Sequence, residues 1–116
     1  MNKSNASLLM ASIIVVSGQA VASQAEEGKD LFRQYGCITC HGEGAKDPAS
    51  EIIPVLAGRS HEYVYNKAKK ILSGGGDTRG AKIMHSHFYS SEQCDAVPPD
   101  EVLSAIAAYV SSVPKP

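Results

Sequence analysis

Three stretches of the chain carry apolar side chains at helical spacing. Gly28, Leu31, Phe32 and Tyr35 recur at i, i+3, i+4 and i+7, one face of a helix that Gly36 stops. Ahead of it, Ser23-Gln24-Ala25-Glu26 reads as a capping box, with Glu26 and Glu27 favourable at the positive end of the helix dipole. A second helix starts at Ser60 as N-cap, lines one side with Val64, Ala68, Ile71 and Leu72, and ends at Gly74-Gly75-Gly76-Asp77. That glycine run lacks the Lys-Ser/Thr of a phosphate loop and is read as a turn. A third helix opens near Pro98-Pro99-Asp100-Glu101, repeats the same spacing through Leu103, Ile106, Ala107 and Val110, and is closed by Pro114. No segment alternates as a strand would, and no internal repeat is visible. The pattern predicts an all-α domain with three principal helices.

The N-terminus departs from this pattern. Lys3 precedes an apolar run, Leu8 to Val16, that is too short to span a bilayer, and Ala20-Val21-Ala22 offers an A-x-A cleavage site. Residues 1–22 are therefore expected to be a cleavable signal peptide and 23–116 the working domain, exported to an oxidising compartment. An anchor left uncleaved is the other reading of the same run. The full chain of 116 residues carries a net charge of −1, and losing Lys3 takes it to about −2. No basic excess points to nucleic acid, and the domain has no apolar run that would keep it in a membrane after cleavage. With no Trp and two Phe, the chain has little apolar volume for a core of its own.

Candidate chemistry lies between the first two helices. Cys37-Ile38-Thr39-Cys40-His41 has the spacing of a c-type haem attachment site. The two sulfurs add across the porphyrin vinyl groups, and the histidine directly after the second anchor is delivered to the iron as proximal ligand. A redox dithiol with the same Cys-x-x-Cys spacing would want a βαβ setting, and a zinc site would want a second pair of ligands. Neither accompanies this pentad, and Cys94 is the only other cysteine. A bound porphyrin would also supply the apolar volume that the composition lacks.

The other axial ligand decides what a haem does. Met84 is the only methionine after residue 22, and a thioether favours ferrous iron and raises the potential. His85 and His87 follow it and are competing ligands that would give a bis-histidine site of lower potential. The alternative for both is a surface position near the haem edge, and His61 is read as structural or solvent-facing.

Taken in order, Gly28-Lys29-Asp30-Leu31-Phe32, the pentad with Gly42, Pro54-Val55-Leu56-Ala57-Gly58 with Tyr63 after it, Met84, and Ile106-Ala107-Ala108-Tyr109 resemble the class I c-type cytochromes. The likeness is to small bacterial single-haem domains and to single domains of di-haem periplasmic cytochromes. It implies one covalent haem c held by Cys37 and Cys40, with His41 and Met84 on the iron. It also implies that first and last helices cross with Gly28 and Phe32 against Tyr109, and that the Pro54 carbonyl accepts the Nδ1 proton of His41. Two features depart from the family: the segment from Met84 to the last helix is longer than usual, and two histidines follow Met84.

The resemblance implies a periplasmic one-electron carrier, not an enzyme, working between redox partner proteins such as a periplasmic dehydrogenase and a membrane oxidase or reductase. Three alternatives stand beside it. The chain is the dedicated cytochrome subunit of a periplasmic dehydrogenase, for instance one oxidising sulfur compounds; or it is a haem sensor or enzyme with a displaceable sixth ligand; or it binds a non-haem metal through Cys37, Cys40, His41 and Met84. Lys67, Lys69, Lys70, Arg79 and Lys82 form either a patch that guides an acidic partner or an ordinary solvated face. Cys94 is either a free thiol in a monomer or the link of a disulfide dimer, with a sulfur-handling role as a further reading.

Overall fold

The computed structural model describes residues 17–89 and 97–116, with side chains from residue 23 onward. The apolar run Leu8 to Val16 and Cys94 lie outside the described residues. Among the described residues five α-helices and no strand are found, which confirms the all-α fold class. They are α1 (Ser17–Gln34), α2 (Cys37–His41), α3 (His61–Leu72), α4 (Arg79–Tyr89) and α5 (Asp100–Ser112), with a 3-10 turn at Glu43–Ala45 after α2.

The three expected helices are α1, α3 and α5. Helix α1 begins at Ser17, so Ser23 lies inside it and the capping box expected at Ser23–Glu26 does not form in the full-length chain. An N-cap needs an extended residue with free amides behind it, and here six helical residues precede Ser23. At α3 the expectation holds: the Ser60 hydroxyl accepts from the Tyr63 amide at 3.1 Å. Pro99 caps α5, with Asp100 and Glu101 in its first turn.

Helices α1 and α5 form the main contact, and α3 packs on α5 from another side. Sandwiched in this way, α5 buries Leu103, Ala105, Ile106, Ala107, Ala108 and Val110, a wider face than the single stripe expected. Gly28 sits where α1 meets the α5 backbone. A Cβ added there would collide with the Ala105 carbonyl, so only hydrogen lets the axes come this close. Four residues on, Phe32 is 1% exposed and meets Tyr109 edge-on with ring centroids 5.6 Å apart. The core continues through Val64, Ile106, Ala107 and Val110 to Ala45 beside the site.

Polar contacts bind the same three helices. The His61 Nε2 donates to the Ser104 carbonyl at 2.9 Å, and the Gln24 amide donates to the Ser104 hydroxyl at 3.1 Å. His61 is therefore structural, tying α3 to α5. No described helix is long and apolar enough to cross a membrane.

Helix α4 was not among the expected elements. It packs on α3 and covers the segment Arg79–Tyr89 that contains Met84, His85 and His87. That places all three candidate ligands on a rigid element.

Candidate haem site

The pentad folds as a helix of its own. Helix α2 is set off by Gly36 (φ 75°) and Gly42 (φ 77°, ψ 173°). The second conformation is one that residues with a Cβ avoid, and it turns the chain sharply after His41. The Gly42 amide closes the turn on the Ile38 carbonyl at 2.9 Å. Cys37 and Ile38 lean on the core without being fully buried, and no residue of α2 is buried. A short helix joined to the core by one edge, with its other flank uncovered, is a seat for something larger than a side chain.

The loops after α2 are braced to hold Pro54 near the pentad. The amides of Leu56 and Ala57 both donate to the Ala45 carbonyl, at 3.0 and 3.1 Å, and the Ala49 amide donates to the Cys40 carbonyl at 2.9 Å. Gly58 then hangs the loop on α5 through the Val110 carbonyl at 3.0 Å. His41 Nδ1 is buried and makes no hydrogen bond of ordinary geometry. Burial pushes its pKa below the usual imidazole value, and the nearby Pro54 carbonyl opposes that shift without cancelling it. Pro54 thus approaches the expected acceptor position, at a distance or angle outside a full hydrogen bond.

Burial also pushes the Cys37 thiol up to about 11, with the Cys40 charge adding to the effect. A redox-active dithiol needs the opposite, a thiolate stabilised near neutral pH. Among the described residues no three His, Cys, Asp or Glu side chains converge as a protein-only metal site would require.

Helix α4 presents two separate faces. Gly80, Met84 and His87 fall within about 60° of arc on one of them. At one end of this face, Gly80 closes on the backbone of Ile52, whose carbonyl would stand 2.8 Å from a Cβ on residue 80. At the other end, His87 Nε2 would stand 4.0 Å from a Cβ on Gly36. The face thus meets the chain two residues before Pro54 and one residue before Cys37, with half-buried Met84 midway between the contacts. His85 is turned roughly 100° away from Met84. It stacks on Tyr89 at 4.4 Å, and its Nε2 lies by Gly74. Of the two competing histidines, only His87 shares the Met84 face.

Apolar side chains stand open on this side. Ile52, on which Gly80 of α4 closes, is 46% exposed, and Ile83, directly before Met84 in α4, is 50% exposed. Exposed apolar side chains, an α2 without a buried residue, a buried imidazole nitrogen and two cysteines at Cys-x-x-Cys spacing fit a covalently bound haem. The cytochrome c family model matches residues 25–114. The chain belongs to the cytochrome c family, whose members carry electrons on covalently held haem. No curated protein gives a significant match to the chain.

Sequence reasoning missed α4 as an element, and with it the parts played by Gly80, Ile52, Ile83 and Tyr89. The available signal was the apolar spacing of Ala81, Met84 and Phe88 at i, i+3 and i+7, interrupted by His85, Ser86 and His87.

Proposed function

We propose that this protein is a periplasmic one-electron carrier holding a single haem c through thioethers at Cys37 and Cys40, with His41 and Met84 as axial ligands. The observation that carries the reading is the position of Met84, midway along the α4 face that meets the chain at Gly36, just before the pentad, and at Ile52, two residues before Pro54. Haem supplies the one-electron redox couple, and bond-making chemistry is not required of the protein.

The chain's own residues set the conditions. The Pro54 carbonyl favours a proton on Nδ1 of His41, which leaves Nε2 as the donor atom and makes the ring more basic. Met84 contributes a neutral sulfur that favours the reduced state. Ile38 and Leu56 lean on the core, and the exposed Ile52 and Ile83 would offer apolar surface to the haem. Redox partners would approach on this side. Lys67, Lys70, Arg79 and Lys82 are exposed and suited to an acidic partner in a brief, salt-sensitive encounter, whereas Lys69 is held by Asp100 at 3.2 Å.

Ferric and ferrous absorption spectra of protein matured in a haem-attaching periplasm test the proposal. Low-spin covalent haem with the weak far-red band of methionine–ferric ligation is expected. Low-spin haem without that band would hand the position to His87, and high-spin haem would make the sixth site open. Fractionation of expressing cells, with the N-terminal residue read by mass spectrometry, checks export and cleavage after Ala22.

A further inference from the structure

The second face of α4 makes a set of contacts that the electron-carrier reading does not use. Ala81, His85 and Tyr89 lie at i, i+4 and i+8 and form one stripe against the end of α3. Ala81 is buried against Gly76. His85 lies flat on the Tyr89 ring, with 22° between the planes. The Tyr89 hydroxyl donates to the Leu72 carbonyl at 2.9 Å. Leu72 is the last residue of α3, and the amides that follow turn to the carbonyls of Lys69, Lys70 and Ile71 instead. Tyr89 therefore satisfies one of the carbonyls that a helix end leaves open.

We propose that Tyr89 and His85 are positioning residues for the sixth ligand, fixing the rotation of α4 about its own axis so that Met84 is held on the pentad side. This rests on Met84 being that ligand. A helix contacting its neighbours along one stripe can roll, and a roll of one residue's arc, about 100°, would carry Met84 off the site. Gly80 blocks the roll at the start of α4 by its close approach to Ile52. The Tyr89–Leu72 bond blocks it at the end. The His85 ring, pressed between Tyr89 and the Gly74 turn, joins these two restraints on the α3 side. The arrangement puts a hydroxyl and an imidazole to work as a fastening, and it accounts for polar residues on a helix face that is partly covered.

Imidazole titration of the ferric, haem-loaded protein at fixed pH reads how firmly Met84 is held, because external imidazole binds only where the methionine leaves. Tyr89→Phe keeps the ring and removes the hydrogen bond. It is expected to keep the far-red band and to tighten imidazole binding about five-fold, the size of one ordinary hydrogen bond. His85→Ala is expected to act in the same direction, and amides of residues 79–89 should exchange faster in both variants. Lys69→Ala, which breaks the ion pair between α3 and α5 away from the stripe, should leave imidazole affinity unchanged. If the wild-type protein has the band and both stripe variants bind imidazole as it does, the positioning role is wrong. If Met84→Ala leaves the wild-type spectrum intact, the ligand assignment itself falls, and the positioning role with it.

Discussion

The α1–α5 crossing and the cleft between the pentad and α4 are built by opposite rules. At the crossing every contact is made by the protein itself: Gly28 touches the α5 backbone, Phe32 meets Tyr109, and Ile106 and Val110 fill the space behind. Across the cleft, side chains of the same apolar character stand half-buried or open, and a ring nitrogen of His41 is buried without a full hydrogen bond. Packing of protein interiors tolerates little empty space, and buried polar atoms are nearly always paired. The crossing obeys both rules with amino acids alone, while the cleft obeys them only with a further apolar body in place. A small chain with few aromatics can thus spend its large side chains on one junction and leave the other to the cofactor.

The contrast breaks most completely at the anchors. Replacing both Cys37 and Cys40 by Ala should abolish covalent haem, seen as loss of the haem mass from the intact protein and as colourless material on purification. At the crossing, Phe32→Ala should cost about 3–5 kcal/mol in denaturant unfolding of the loaded protein, the range for emptying a buried aromatic site. Gly28→Ala adds a single carbon yet should cost about 3 kcal/mol, at the upper end for overpacking, because the atom it meets is backbone and cannot rotate away. On the cleft side, Ile83→Ser sharpens the comparison. A residue half exposed ordinarily changes stability by no more than about 0.5 kcal/mol, whereas one covered by haem should cost about 1 kcal/mol or more. A change below the first figure in the loaded protein would mean that Ile83 is ordinary surface.

The two regions were also unequally legible in the sequence. The crossing could be read because its helices are periodic: Gly28, Leu31, Phe32 and Tyr35, and Leu103, Ile106, Ala107 and Val110, both show helical spacing, although Gly28 and Phe32 meet α5 on its Ala105 and Tyr109 side. The pentad could be read because covalent attachment demands a local spacing that no folding context can alter. Helix α4 hid because its neighbours hold it by unlike means. Toward α3 it uses Ala81, His85 and Tyr89, a small residue, a stack and a hydrogen bond. Toward the pentad it uses Gly80, Met84 and His87. Ala81, Met84 and Phe88 do recur at i, i+3 and i+7, but the histidines and serine set between them dilute that apolar signal. The choice among Met84, His85 and His87 depends on the rotation of a helix, which sequence spacing alone does not set. Pro54 was reached only through resemblance, since a backbone carbonyl leaves no mark in side-chain chemistry. In the full-length chain α1 runs from Ser17 through the Ser23–Glu26 capping box, which a chain beginning at Ser23 would leave available as a helix start.

The junction of α1 with α5 also acts as a clock. The Gln24–Ser104 hydrogen bond spans 80 residues of sequence, and the Gly28–Ala105 contact is nearly as long-range. A chain made from its N-terminus outward cannot form either until its last helix exists, and closing so long a loop carries an entropic cost that local contacts do not relieve. Until that moment α1 lacks the helix it packs on most, and the pentad that directly follows it has only part of the core to lean on. Cys37, which leans on the core, is therefore reachable throughout synthesis and becomes half-buried only at its end, whereas Cys40 stays exposed in the finished fold.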